Sequence, residues 1–237
     1  MLGSGLQEPT GDVEGGLGTK DEGEETLPWP TREVVPYASY YCEENAYKLI
    51  EILSKDHLLL EESVFAVFIS NKLKATPLWM QRLCVGDDPV LWDYHVIVLV
   101  IGAVGGDSDR SKRRALVFDS DTVLPYPCDA LEYVEKSLRP WKSLPSDYEP
   151  LLRVVPARDY IAYFSSDRSH MSTATALPPS WPPINGYRAP NRMQLPLYWD
   201  MTANLNETTT TVPGLGTVMS LDVFVSLLTS GDAVLCT

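Results

Sequence analysis

The chain has 237 residues, of which 44% are hydrophobic and 22% charged, a globular composition sized for one domain with tails. Its formal net charge of −13 argues against nucleic-acid binding, which needs a basic footprint. No apolar run reaches the roughly 18 residues of a membrane span, and the N-terminus lacks the basic-then-apolar pattern of a secretory signal. Without such a signal, the glycosylation sequon at Asn206 reads as chance. Four cysteines, Cys42, Cys84, Cys128 and Cys236, are too scattered for a disulfide framework and none has CxxC spacing. Free thiols and no metal site are expected, in a reducing setting that is cytoplasmic and open to the nucleus.

Residues 1–35 hold seven of the fifteen glycines and eight acids against Lys20 and Arg32, a net of −6. They read as a disordered acidic tail, with one domain over residues 36–237. Cys42-Glu43-Glu44-Asn45 then opens an amphipathic helix in which Ala46, Leu49, Ile50 and Leu53 recur at i, i+3, i+4, i+7. Glu43 and Glu44 complement the helix dipole. Cys42 therefore stands at a helix N-terminus, where unpaired N–H groups lower a thiol pKa; it reads equally as a small buried cysteine. His57 lies at the far helix end and needs no function.

Val64 to Ser70 is short, apolar and β-branched, a buried strand. The connection from Asn71 to Asp88 carries Trp79, expected in the core, and Cys84, expected to be structural. Val90 to Val104 reads as one central strand, apolar on both faces, with His95, Ile97, Leu99 and Ile101 sharing one of them. Ala115 to Phe118 is the return strand and ends at Asp119. A hairpin centred on Asp107 sets His95 directly opposite Asp119, and a register two residues away keeps them neighbours. A carboxylate there fixes the imidazole tautomer and stabilises its charged form. Asp121 is a rival on the same face.

Cys128 to Leu138 reads as a helix with Ala130, Leu131, Val134 and Leu138 inward. Leu151 to Val155 is a strand and Ala157 to Phe164 a short helix. Ser166 to Met171 is a polar loop in which His170 is either a site residue or part of a structural turn. Residues 172–217, rich in Pro, Thr and Asn, form a long irregular insertion that at best drapes over the domain. A last helix runs from Ser220 to Leu228, capped by Ser220 or Thr217, with Leu221, Phe224, Val225 and Leu228 inward.

Five blocks in order carry a resemblance: Tyr41-Cys42-Glu43-Glu44-Asn45, Phe65 to Asn71, Trp92-Asp93-Tyr94-His95-Val96, Asp119 to Pro127, and Ser166 to Met171. Together they resemble the protein N-terminal glutamine amidohydrolase family, the WDYHV-motif family, over about residues 37–171. Gly214 to Val218 and the helix containing Phe224 match more weakly. The resemblance implies an α+β, papain-like or transglutaminase-like cysteine hydrolase fold, a central antiparallel sheet with packed helices. It carries the family's catalytic triad onto Cys42, His95 and Asp119. It also implies conversion of a protein's N-terminal glutamine to glutamate with release of ammonia, feeding the N-degron pathway. The chain departs from the family in its long acidic tail, its charged insert from Asp107 to Arg114, and its longer region 172–212.

The chemistry so implied is acyl transfer to water: Cys42 as nucleophile, His95 as base and acid, Asp119 as its orienter, with no cofactor and no metal. The Cys42 backbone N–H would supply one oxyanion donor. Reading only a free N-terminus needs an acid or carbonyl oxygens for the α-ammonium, and Glu43, Glu44 and Asp93 are open candidates. The expected partners are proteins or peptides with a free N-terminal Gln, with no nucleic acid, no membrane, and a monomeric protein. The competing readings are a cysteine peptidase, a transglutaminase-like acyltransferase, and a non-catalytic adaptor built on the Pro-rich segment and tail.

Overall fold

The computed structural model describes residues 29–55, 64–103, 113–172, 176–202 and 213–230. His57, Cys236, the Asn206 sequon, most of the 107–114 insert and residues 1–28 of the expected tail lie outside them. The centre is a six-stranded antiparallel sheet. It is built from β1 (Val64–Ser70), β4 (His95–Ala103), β5 (Arg113–Phe118), β6 (Cys128–Asp129), β7 (Leu151–Pro156) and β10 (Thr217–Ser220), in the order β10-β7-β1-β4-β5-β6. Helices cover both faces, so the architecture is a mixed α and β one. On one face lie α1 (Cys42–Lys55), α3 (Ala157–Tyr163) and α4 (Leu195–Trp199). On the other lie α2 (Ala130–Tyr133), the π-helical turn that extends it through Val134–Leu138, and α5 (Leu221–Ser230).

This two-sided cover explains why β1 is apolar from Val64 to Ile69 and β4 from Val96 to Ile101, on both faces. Ala66, Phe68, Val96, Val98 and Val100 enter the core under α1, while Phe65, Val67, Ile69, Ile97 and Leu99 enter the core under α2 and α5. The aromatic cluster of Phe68, Tyr160, Phe164 and Tyr198 joins β1, α3 and α4, with ring centroids 4.6 to 6.4 Å apart.

The expected single strand from Val90 to Val104 is two strands. β3 (Val90–Trp92) pairs with β2 (Thr76–Leu78) in a separate ribbon, and the chain breaks at Asp93-Tyr94 before β4 begins. The break has a local cause: Asp93 Oδ1 accepts the Tyr94 N–H at 2.9 Å, and its carbonyl accepts the Ser70 hydroxyl at 2.6 Å. His95 is thus the first residue of β4. The hairpin register is also shifted. Val98 pairs with Phe118, which extrapolates to Asp121, not Asp119, opposite His95.

Four other expectations are corrected. Residues 29–35 of the presumed tail pack on the domain: Trp29 meets Phe118 edge to face, Val35 is buried, and Arg32 donates to the Thr122 and Leu124 carbonyls. The helix expected from Cys128 begins as β6, and Asp129 caps α2 by accepting from Leu131 N and Glu132 N. In the π turn that follows, Arg139 N–H reaches back five residues to Val134. Leu131, expected inward, is exposed, and Tyr133 is buried in its place. The stretch 172–217 carries structure where it is described. β9 (Ile184–Asn185) pairs with β8 (Ser165–Ser166), and α4 is anchored by Arg153. The Arg153 side chain is fully buried and donates to the carbonyls of Tyr198, Leu215 and Asp200 at 3.0, 3.1 and 2.6 Å. The expected final helix is present as α5, with Ser220 Oγ accepting the Val223 N–H at 3.4 Å.

Candidate active site

Cys42 is the first residue of α1, and a local clasp sets the entry to that helix. Asn45 accepts the Ala38 N–H and donates to the Ala38 carbonyl, both at 2.8 Å, which holds the turn in front of the cysteine. α1 packs against β4, so Cys42 shares an enclosed cavity with Asn45, Ala46, Val96, Ser120 and Asp121. Its thiol is hydrogen-bonded to Glu43 Oε2 at 3.8 Å. The helix start does not leave this thiol acidic. Burial, then the charges of Glu43 and Asp121, push it well above the ordinary thiol value, against the pull of a hydrogen bond from the Val96 backbone. The expectation of a lowered pKa took account of the helix end and not of the two carboxyl groups.

His95 is fully buried at the start of β4, with the Trp92 indole stacked on its ring at 5.4 Å and 24°. Its Nε2 lies 2.9 Å from Asp119 Oδ1, and its Nδ1 has no hydrogen-bond partner among the described residues. Burial pulls the imidazole down, but the charge and hydrogen bond of Asp119, backed by Asp121 and Glu43, outweigh it and leave the pKa raised. Asp119 follows β5, where the chain leaves the sheet. That exit lets its carboxylate reach His95 despite the shifted register. Its Oδ1 also accepts the Asp121 N–H at 2.8 Å, and its Oδ2 accepts from Gln81 Nε2 at 3.0 Å and the Tyr133 hydroxyl at 2.9 Å. Burial raises the Asp119 pKa, but the His95 charge and these donors overcome it and hold the carboxyl at about 2.

The structure therefore joins His95 to Asp119 directly. Cys42 stands near both, close enough to share Glu43 and Asp121 with His95 as electrostatic neighbours, but its own hydrogen bond runs to Glu43. Asp121, the rival acid, is held by the Tyr37 hydroxyl at 2.6 Å and faces the Cys42 cavity. His95, Asp119 and Asp121 place one possible metal-ligating atom each within 4.8 Å of one another, all buried. Their hydrogen bonds to Gln81, Tyr133, Tyr37 and each other occupy most of the lone pairs a cation would need.

His170 reaches this region from the loop after β8. Its Nε2 is 3.4 Å from the Tyr94 hydroxyl and 3.8 Å from Glu43 Oε1. Arg168 holds that loop to α1 with a two-pronged bond to Glu44, at 2.7 and 2.8 Å, and Glu44 also accepts the Trp181 indole N–H at 2.6 Å. Glu43 and Glu44 are fully buried, so they are more than dipole partners. Gln81, Tyr133 and the stacked Trp92 were missed from sequence. Gln81 carries no signal, and Tyr133 stands near a position, Leu131, that the pattern turns inward instead.

The family model for N-terminal glutamine amidase matches residues 37–228. A protein from Bos taurus named protein N-terminal glutamine amidohydrolase is 37% identical over 207 residues, covering 85% of this chain and 90% of that one. Proteins of the same name from Danio rerio and Homo sapiens are 41% and 38% identical over 158 and 159 residues, each covering 65% of this chain and 74% of the relative. The match spans the helix of Cys42, the strand of His95 and the turn of Asp119, and on that extent the chain belongs to the N-terminal glutamine amidase family.

Proposed function

We propose that this protein hydrolyses the side-chain amide of an N-terminal glutamine, on proteins or peptides, to glutamate with release of ammonia. Family membership supports the reaction. One observation carries the mechanism: His95 spends Nε2 on Asp119, while its Nδ1 has no partner among the described residues and so is free to serve the thiol of Cys42. On this reading the fold is of the papain-like and transglutaminase-like kind. Its support is a helix that begins at the cysteine and packs on an antiparallel sheet bearing His95, with Asp119 just past the end of β5.

The Cys42 thiol passes its proton to His95 Nδ1, and the sulfur attacks the carboxamide carbon. The charged imidazole that results offsets the carboxyl groups that otherwise hold the thiol protonated. The oxyanion meets the Cys42 backbone N–H at the start of α1, where helical N–H groups have no intrahelical acceptor. His95 returns its proton to the leaving nitrogen, and ammonia and a thioester form. Water, deprotonated by His95, then cleaves the thioester to glutamate and free thiol. Asp119 holds the ring and stabilises its charged form throughout. Such a product supplies N-terminal glutamate to the N-degron pathway. The reading further includes a monomer acting in the cytoplasm and extending to the nucleus, without nucleic-acid or membrane partners. Its support is the free state of Cys42, Cys84 and Cys128 and the acidic net charge of −13. No helix among the described residues is long and apolar enough to cross a membrane.

The test is ammonia release from two peptides of one sequence, one beginning with free Gln and one acetylated there. Release from the free peptide alone is expected. Release from both points to a general glutaminase, and peptide-bond cleavage or amine incorporation to a peptidase or acyltransferase. Cys42→Ala and Cys42→Ser are expected to remove at least about 10³-fold of turnover with the fold retained by circular dichroism. Ammonia release by either variant near the wild-type rate would refute the nucleophile.

A further inference from the structure

Four acidic side chains are buried among the described residues, and three of them have settled partners. Glu44 is paired with Arg168 and Trp181. Asp119 has its four donors, and Asp121 has the Tyr37 hydroxyl. Glu43 differs. Its Oε2 accepts from the Tyr94 hydroxyl at 3.0 Å and lies 3.8 Å from Cys42 Sγ, while Oε1, fully buried, has no hydrogen-bond partner among the described residues. The nearest group able to carry positive charge is His170 Nε2, 3.8 Å away and beyond hydrogen-bond reach. Burial lowers the pKa of that imidazole, so near neutral pH it brings no charge. A buried carboxyl oxygen left without a donor is uncommon and costs free energy.

We propose that Glu43 receives the α-ammonium group of the substrate through Oε1, and so restricts the reaction to the first residue of a chain. The inference rests on the N-terminal glutamine reading above. The dimensions agree with it. In an extended glutamine the α-nitrogen is roughly 5 Å from the side-chain amide carbon. A carbon under attack by Cys42 Sγ puts the ammonium within reach of a carboxyl whose nearer oxygen is 3.8 Å from that sulfur. An acetylated terminus has neither the charge nor the three donors that Oε1 lacks. Asp93, the other open candidate, is exposed and turns its Oδ1 onto the Tyr94 N–H. His170 packs against Trp199, with ring centroids 5.9 Å apart, on the same side as the free oxygen of Glu43, 3.8 Å from its Nε2. With no cation beside it, burial pushes the Glu43 carboxyl to about 8, so it rests largely protonated. An arriving ammonium ionises it; the titratable groups that act on Glu43 are Cys42, Tyr94, Glu44 and His170 beside it, and His95, Arg168, Tyr41 and Tyr160 around them.

The test compares ammonia release from a Gln-first peptide and from its analogue in which hydrogen replaces the α-amino group. Wild type is expected to prefer the amine by on the order of 10²-fold in kcat/KM. Glu43→Gln is expected to bring the amine-to-analogue ratio of kcat/KM to within about 3-fold of unity, mainly through the KM of the amine; any change in rate that comes from its contact with Cys42 falls on both substrates alike and leaves the ratio untouched. A Glu43→Gln variant that keeps the preference, or loses equally on both substrates, overturns the assignment. Should wild type process neither peptide, the glutamine reading itself fails and this one falls with it. A second measurement is independent of how Glu43→Gln folds. Cys42→Ala, titrated calorimetrically at pH 7 in buffers of different ionisation enthalpy, is expected to release a proton on binding the Gln peptide and none on binding the analogue. Equal proton exchange with both overturns the proposal.

Discussion

Asp119 accepts hydrogen bonds from His95, Gln81, Tyr133 and the Asp121 backbone, and these donors come from four separate parts of the fold. Their sum keeps its carboxyl ionised in full burial, and the ionised carboxyl in turn raises His95. The sign of a mutational effect follows. In the proposed reaction a neutral imidazole takes the proton of the thiol, and that form is lost as pH falls through the His95 pKa. Asp119→Asn removes the charge that raises this pKa. The acid limb of kcat/KM against pH is therefore expected to move to lower pH, with a loss of roughly 10²–10⁴-fold at the optimum. An unmoved limb in a pH-rate profile would remove Asp119 from this role. Cys42, His95 and Asp119 were legible because five short blocks resemble a family in its order. Gln81 and Tyr133 were not, because each meets Asp119 only after folding, and neither residue type announces such a contact.

Among the elements, α1, β1, β7, α3 and α5 follow from periodicity, since each has one strongly apolar pattern of a length that fits it. The failures share a cause. Asp93 breaks the long apolar run through a bond to its own neighbour's N–H, and the segment expected to be one helix from Cys128 opens as a strand, with Asp129 capping α2, and closes as a π turn, with Leu131 exposed and Tyr133 buried. Both are local backbone events that hydrophobic pattern does not record. The shifted β4–β5 register has the same origin, since it depends on a connection whose turn chemistry the pattern leaves open. Two glycines offer a test of local geometry. Gly216 and Gly86 share φ of +61°, but a side chain at Gly216 would meet the Val154 carbonyl oxygen at 2.0 Å whereas Gly86 has nothing within 4 Å. Gly216→Ala is expected to destabilise by about 2–4 kcal/mol, and Gly86→Ala by about 1–2 kcal/mol, the left-handed strain alone. Urea midpoints of the two variants, compared with wild type, check the difference.

For the molecule as a whole, the boundary drawn from composition falls too late in the chain. Glycine and acid content marks residues 1–35 as a tail, yet Trp29 and Arg32 within it pack on the far side of the site. Arg32 donates to the carbonyls of Thr122 and Leu124 at 2.6 and 3.0 Å and lies over the Tyr126 ring, and so it ties the chain's entry to the turn that carries Asp119 and Asp121. Composition averages over such a segment and cannot register two anchoring side chains. Arg32→Ala is expected to lower stability by about 1.5–3 kcal/mol, read as a shift in denaturation midpoint, and to reduce kcat more than it raises KM. An unchanged midpoint would show the anchor to be idle. Arg153 does the same work at the other end of the chain, where a buried guanidinium gathers carbonyls from a stretch whose Pro and Thr content suggests none of it.

Cys84 gives the site a second chemical address. Its sulfur accepts the Gln81 N–H at 3.3 Å and donates towards the Leu78 carbonyl at 3.7 Å, and Gln81 in turn holds Asp119. Of the described cysteines, Cys84 is partly exposed, whereas Cys42 and Cys128 are buried. An alkylating or oxidising reagent therefore meets Cys84 first, and an adduct there pushes on Gln81 and through it on the carboxylate behind His95. Inactivation by a thiol reagent thus has two routes in this protein, one of them remote from the nucleophile, and protection by Cys84→Ser separates them.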